Sequence, residues 1–249
     1  MASREEMSLS FGAAADTYEA GRPDYPSEAV AWLLEPVRGG DHAPRVADVG
    51  AGTGKLTRVV AALSAEVVAI EPDPDMLAVL HDAVPGVPTF LGTAEDLPLP
   101  DAGVDAVVLG QAWHWVDPEA GSRETGRVLR AGGVLGLIWN IRDDGVPWVA
   151  RMTEIMHRSN SELMLDESGP VVTAPFGALE TREWRWTRPM TRAMLHDMAR
   201  SRSYVITAEP AERARIEAEL DAVFDEIGAV GEAVVELPYI THAYRATRP

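Results

Sequence analysis

VADVGAGTGKLT, residues 46–57, is the stretch whose reading decides the fold. Residues 46–49 read as a short apolar strand, 50–54 as a glycine loop and 55–63 as a helix. Outward from it, further runs rich in Val, Ile and Leu stand at 66–70, 88–91, 104–109 and 133–139. They lack clean alternation, as parallel strands covered on both faces do. Helical patterns separate them at 74–84 and 118–129. β-α units repeated in this rhythm predict a doubly wound, Rossmann-like α/β sheet, mostly parallel, with helices on both faces.

The chain reads as one domain in three parts: a helical lead-in over 1–40, a core over 41–142 and a remainder over 143–249. In the lead-in, Ser27 before Glu28 suggests an N-cap. In the remainder, helices are expected over 146–165, 191–203 and 211–227, and strands over 179–186 and 233–245. Those two strands lie far apart, so they are expected to join one sheet edge late.

Three glycine-loop chemistries compete at 50–54. A phosphate-binding P-loop needs GxxxxGK[ST]; Val49 holds the first glycine position and Leu56 follows Lys55, so that pattern fails twice. The dinucleotide fingerprint is GxGxxG, whereas the spacing here is GxGxG. The D-x-G-x-G-x-G loop for S-adenosylmethionine matches in every place, with Asp48 facing the ligand's ammonium group. Glu71, at the end of the second strand, is placed to accept two ribose hydroxyls. Met76 offers a soft apolar contact to an adenine face, or packs as an ordinary helix residue. Glu95 and Asp96, after the third strand, either receive the adenine amino group or cap the next helix.

Charge separates the possible ligands. The 249 residues hold 39 Asp and Glu against 22 Lys and Arg, a formal charge of −17. Such a balance disfavours nucleic acid and anionic membrane surfaces as partners. No cysteine is present, which excludes disulfides, thiolate nucleophiles and Cys-ligated zinc. No metal-ligand spacing is found, and no apolar run approaches a membrane span or a signal peptide, so a soluble cytoplasmic protein is expected. Residues 59–122 contain eleven acids and no Lys or Arg. A 2′-phosphate would find no counter-charge there, whereas S-adenosylmethionine is a net cation and suits the field.

VADVGAGTGKLT at 46–57, VVAIEPDPDML at 67–77, GTAEDLPLPDAGVDAVVLGQAWHWVD at 92–117 and RVLRAGGVLGLIWN at 127–140 together resemble the class I S-adenosylmethionine-dependent methyltransferases. The resemblance is to the group that includes ubiquinone/menaquinone-type and trans-aconitate-type enzymes, and FGAAADTYEAGRPDYP at 11–26 looks like the lead-in of the latter. It implies that Asp48, Gly50, Ala51, Gly52 and Gly54 hold the methionine half of the donor and Glu71 the ribose. Pro72 and Met76 would lie beside the adenine, Ala94 and Glu95 at its edge, and Gln111 and Ala112 under the sulfonium. Tyr18 and Arg22 of the lead-in would close over the donor.

Methyl transfer needs alignment above all, and a base only where the nucleophile arrives protonated. His114 is the candidate base, with a pocket wall or a structural histidine as the alternatives. If 113–115 is extended, Trp113 and Trp115 point one way and His114 the other. Trp113, Trp115, Asn140 and Tyr204 are candidate acceptor contacts, acceptor specificity is expected from the lead-in helix and 143–204, and lid helices are expected within 143–249. Residues 181–202 carry six arginines against Glu183 and Asp197. These arginines either pair with the acidic helix at 209–227 or recognise a carboxylate on a small-molecule acceptor. An NAD-dependent reductase is a weaker alternative, since no Tyr-x-x-x-Lys pair exists with Lys55 as the one lysine. A non-catalytic donor-binding protein is a third. The oligomeric state is not legible.

Overall fold

A computed structural model describes residues 21–40, 42–202, 204–205 and 208–249. Tyr18 and the first half of the lead-in, residues 1–20, lie outside these residues. Seven strands form one open sheet: β1 (Arg45–Val49), β2 (Glu66–Glu71), β3 (Thr89–Leu91), β4 (Val104–Gly110), β5 (Leu129–Arg142), β6 (Glu180–Met190) and β7 (Val235–Thr247). Their order is β3-β2-β1-β4-β5-β7-β6. The first five are parallel, and β7 inserts antiparallel between β5 and β6. The late, widely separated strands do join one edge, as expected.

Side-chain alternation explains why the core runs are apolar throughout. Val46, Ala106, Val108, Val134 and Ile138 face one layer, where α1 (Ser27–Leu34) and α2 (Lys55–Ala62) cover them. Ala47, Val49, Val107, Leu109, Leu135 and Leu137 face the other, packed with Trp113, Val116 and Val128 at the two ends of α4 (Pro118–Val128). Both faces are covered, so the strand positions are mostly apolar and the few buried polar groups, such as Asp105, are paired. Between β2 and β3, α3 (Pro74–Ala83) starts at Asp73, whose carboxylate accepts from the Asp75 and Met76 amides. A third apolar cluster joins α5 (Pro147–Met156), α7 (Arg192–Arg200) and α8 (Pro210–Glu226) to Met190, Leu237 and Tyr239 of the edge strands.

Three local expectations are corrected. Pro26, not Ser27, occupies the N-cap of α1, without a side-chain cap bond. The helix expected over 146–165 is two helices, α5 and α6 (Asn160–Glu167). His157 breaks it at φ 58°, and Ser159 then opens α6 with a capping box to Glu162. The 113–115 segment is a 3-10 turn rather than extended chain, so the alternation argument for His114 and its neighbouring tryptophans does not hold.

The arginines of 181–202 divide. Arg192 and Arg200 pair with Asp221, Asp225 and Glu217 of α8, as the helix-pairing reading expects. Arg185 instead pairs with Asp143, Arg188 donates to the Gly21 carbonyl and Arg182 lies over Trp184. Arg202 turns inward to Glu162. Among the described residues no helix is long and apolar enough to cross a membrane.

Candidate active site

The glycine loop leaves the carboxyl end of β1 and is tied back to β2: Gly50 N and Ala51 N both donate to Ile70 O, at 2.8 and 3.1 Å. Gly50, Gly52 and Gly54 all have positive φ, at 66°, 54° and 88°. Two of them are also sterically required. A Cβ at Gly50 would meet Ala112 Cβ at 2.7 Å, and one at Gly54 would meet Leu80 Cγ at 2.9 Å. At Gly52 the space is open, so that glycine serves the backbone turn alone.

Two carboxylates stand at this loop. Asp48 is fully buried; its Oδ2 accepts from Thr57 Oγ1 at 2.6 Å, while Oδ1 has no partner. Burial raises its pKa to about 7, against the Thr57 hydrogen bond and with help from the charge of Glu71. Glu71 accepts from Gly52 N at 2.9 Å through Oε2 and from Asp73 N at 3.2 Å through Oε1. Burial raises its pKa as well, partly offset by those two amides.

Opposite the loop stands the tip of β4. Gln111 takes φ 57°, an arrangement that costs a non-glycine residue roughly 1–3 kcal/mol and that strained sites retain. Its amide donates to Ile138 O at 2.9 Å and its side chain to Asn140 O at 2.9 Å, which fix it between β4 and β5. Arg22, Pro23 and Tyr25 close the remaining side of the cleft, facing Asp48, Gly50 and Gln111. A Cβ at Gly110 would meet Tyr25 Oη at 2.6 Å, so the glycine ending β4 lets the tyrosine ring lie across the strand tip.

The structure brings Arg22, Asp48, Gly50, Ala51, Gly52 and Gln111 to one cleft. Glu71 joins it through Gly52, and Ala112 through its contact with Gly50. Met76 and Ala94 are buried in apolar packing nearby. Glu95 accepts from Asp117 N at 2.9 Å, where α4 begins. The acceptor candidates fare less evenly. Trp113 is a core residue, 2% exposed, with its Nε1 donating to Val171 O. Asn140 is engaged on both side-chain atoms, donating to Asp24 O and accepting from Thr241 Oγ1. These two hold the scaffold rather than open onto the cleft. His114 and Trp115 are half-buried with rings 4.8 Å apart, and Tyr204 is exposed beside His157. Thr57, Gly110 and Tyr25 were missed in the sequence. Only Thr57 had a local signal, a hydroxyl in the first turn after the loop.

A family model for the methyltransferase domain matches residues 47–137. A Mycobacterium tuberculosis protein named as an uncharacterised methyltransferase is 44% identical over 250 residues, covering 98% of both chains. A methyltransferase-like protein of Schizosaccharomyces pombe is 33% identical over 237 residues, covering 93% of this chain and 92% of its own. The solved structure of a candidate type II methyltransferase from Anaeromyxobacter dehalogenans superposes with a TM-score of 0.64 at 23% identity, covering 91% of this chain and 97% of that one. With the glycine loop, the acid ending β2 and the 3-2-1-4-5-7-6 sheet, these likenesses agree: the chain belongs to the class I S-adenosylmethionine-dependent methyltransferases.

Proposed function

We propose that the cleft between the β1 loop and the β4 tip holds S-adenosylmethionine and that the protein methylates a small-molecule acceptor by in-line displacement. The observation that carries this reading is Asp48. A buried carboxylate with one unpartnered oxygen and a pKa near 7 favours a cationic ligand, which would restore its ionised form. When bound, the donor supplies a methyl carbon activated by positive sulfur.

This chain's residues would bind and orient it. Asp48 receives the ammonium group, and the 50–54 loop lies against the methionine half. Glu71 accepts the ribose hydroxyls on lone pairs left free by Gly52 and Asp73. Pro72, Met76, Ala94 and Glu95 border the adenine, and Gln111 with Ala112 lies under the sulfonium. Arg22 closes over the donor, as would Tyr18, which lies outside the described residues. His114 and Trp115 sit at the strand-four end and are the proposed base and wall of the acceptor space. Residues 143–204 and Tyr204 form its cover. Alignment of the reacting groups is the main catalytic task, worth on the order of 7–11 kcal/mol.

The test is isothermal titration with S-adenosylmethionine, S-adenosylhomocysteine and NAD. Saturable heat with the two sulfur ligands and none with NAD is expected. Folded protein that gives no heat with either sulfur ligand refutes the reading.

A further inference from the structure

Arg142 ends β5 and Arg202 follows α7, yet both guanidiniums are buried in the same place, each residue 5% exposed. A single carboxylate lies between them. Glu162 Oε1 accepts from Arg142 Nη2 at 2.7 Å and Oε2 from Arg202 Nη2 at 2.5 Å. The same Oε2 also accepts from Ser159 N and Ser159 Oγ, each at 2.7 Å, so the carboxylate is crowded with donors. Burial opposes ionisation of Glu162, but the two guanidiniums and Ser159 hold its carboxyl well below the usual range. The balance among the three is one positive charge in excess.

The donors are also underused. Arg142 Nε is buried with no partner, and Nη1 reaches only the Met198 sulfur at 3.7 Å. Arg202 donates through Nη2 alone, to Glu162 and, at 3.5 Å, to His157 O. A buried N–H left without an acceptor is rare in native folds. Buried arginine–glutamate–arginine triads also occur as purely structural arrangements, so what distinguishes this one is the unpartnered Arg142 Nε and not the second cation. Burial, reinforced by the charge of Arg142, draws the pKa of Arg202 down to about 9 despite Glu162, and Arg22 pushes the same way.

The position links this cluster to the cleft. β5 runs parallel to β4, so Arg142 emerges at the sheet edge that carries Gln111. It lies two residues beyond Asn140 and shares its sheet face, the one on which the Asn140 side chain donates to Asp24 O. The 21–22 segment packs on the start of the Arg202 turn: a Cβ at Gly21 would meet Ser201 Oγ at 2.8 Å. Arg22 itself lines the cleft beside Asp48. Arg202 is close enough to Arg22 to feel its charge, which sets the cluster next to the residue that closes the cleft.

We propose that Arg142 and Arg202, flanked by Arg22, form a subsite for an oxyanion group, a carboxylate or phosphate, carried by the methyl acceptor. The planar guanidinium fork matches such groups bidentately. This assignment rests on the reading of the cleft as a methyl-transfer site.

The test titrates inorganic phosphate, succinate and the neutral succinamide into protein saturated with S-adenosylhomocysteine, at constant ionic strength. The two anions are expected to bind saturably in the millimolar range and succinamide not at all. Arg142→Gln should weaken the anions at least tenfold and leave the S-adenosylhomocysteine Kd unchanged. Absence of anion binding, or anion binding that Arg142→Gln leaves intact, overturns the subsite. Failure of S-adenosylhomocysteine to bind instead overturns the donor reading, and the anion titrations on the unliganded protein then decide the subsite separately. Should Arg142→Gln fail to fold, Glu162→Gln keeps both arginines and removes their competitor. It should tighten phosphate at least threefold and enlarge the rise in Tm that phosphate produces. Unchanged or weaker binding in that variant would mark the cluster as structural only.

Discussion

In the proposed site, Asp48 should couple donor binding to pH. Its carboxyl titrates near 7 because burial disfavours the charged form, and an ammonium partner would lower that value again. Binding should therefore release a proton near neutrality. S-adenosylhomocysteine affinity is expected to be full above about pH 7 and to fall as pH drops through it, by up to about tenfold per unit. Titrations in two buffers of different ionisation enthalpy measure the proton directly. Asp48→Asn should abolish both the pH dependence and the proton release, with weaker binding at pH 8. The sign for folding is opposite. A raised folded pKa means the native state holds a proton that the unfolded state has lost between about 3.8 and 7, so stability declines as pH rises through that window. Asp48→Asn should flatten this slope in urea melts across the same range. Glu71 and His114 differ in kind. Glu71 is bonded to the loop through Gly52 and to Asp73, so Glu71→Ala should remove the proposed ribose acceptor and loosen the loop together. It should weaken S-adenosylhomocysteine at least tenfold, while His114→Ala should change it less than threefold. Equal losses would show that the two roles are misassigned.

At the scale of elements, the short helix α6 has a disproportionate task. It is eight residues long and begins after the positive-φ residue His157, so it depends on its N-terminal box. Ser159 Oγ lies 3.3 Å from Glu162 N, and the Glu162 side chain returns to Ser159 N at 2.7 Å. The same glutamate then carries Arg142 and Arg202, joining α6 to β5 and to the end of α7. Ser159→Ala should cost about 1 kcal/mol in denaturant unfolding, within the usual span for a lost N-cap. A loss below a few tenths would mean the arginines alone hold the helix. The capping box was legible in principle as Ser159-x-x-Glu162, in a polar stretch over 157–162 that interrupts the apolar pattern of 146–165. Periodicity reports which face is buried and is blind to one residue with a positive φ. The helix N-caps Asp73 and Asp117 show the reverse case, where a carboxylate followed directly by proline marks the start plainly.

Across the whole molecule, the charge of −17 is distributed in a way the fold makes consequential. Residues 59–122, without Lys or Arg, supply β2, β3 and β4 and their loops, which would border the nucleoside half of the donor in the proposed site. S-adenosylmethionine carries one net positive charge and S-adenosylhomocysteine none. Raising salt from 20 to 500 mM, on the order of a Debye length shrinking from about 20 to about 4 Å, should weaken the first more than the second. Competition titrations at the two ionic strengths read this difference; parallel changes would show that the field does not reach the site. Positive charge enters the cleft at Lys55 and Arg22, and Arg202 lies near Arg22 beside Arg142.

By itself the sequence determined the sheet, the loop and the two carboxylates of the donor side. Local spacing carries them: three glycines after Asp48, an acid ending β2, apolar runs filled on both faces. Only the tertiary structure decided the acceptor side. Trp113 reads as an acceptor contact at a strand tip and is core, in a segment that coils into a 3-10 turn. Asn140 reads as a free polar side chain and is consumed by Asp24 and Thr241, 116 and 101 residues away in sequence. Arg202 looked like one more surface arginine among six, while Arg142 had drawn no notice at all. Pairing across the β5–β7–β6 edge and the packing of α5, α6 and α7 bring these distant residues together. Burial then turns three ordinary charges into a cluster with one too many.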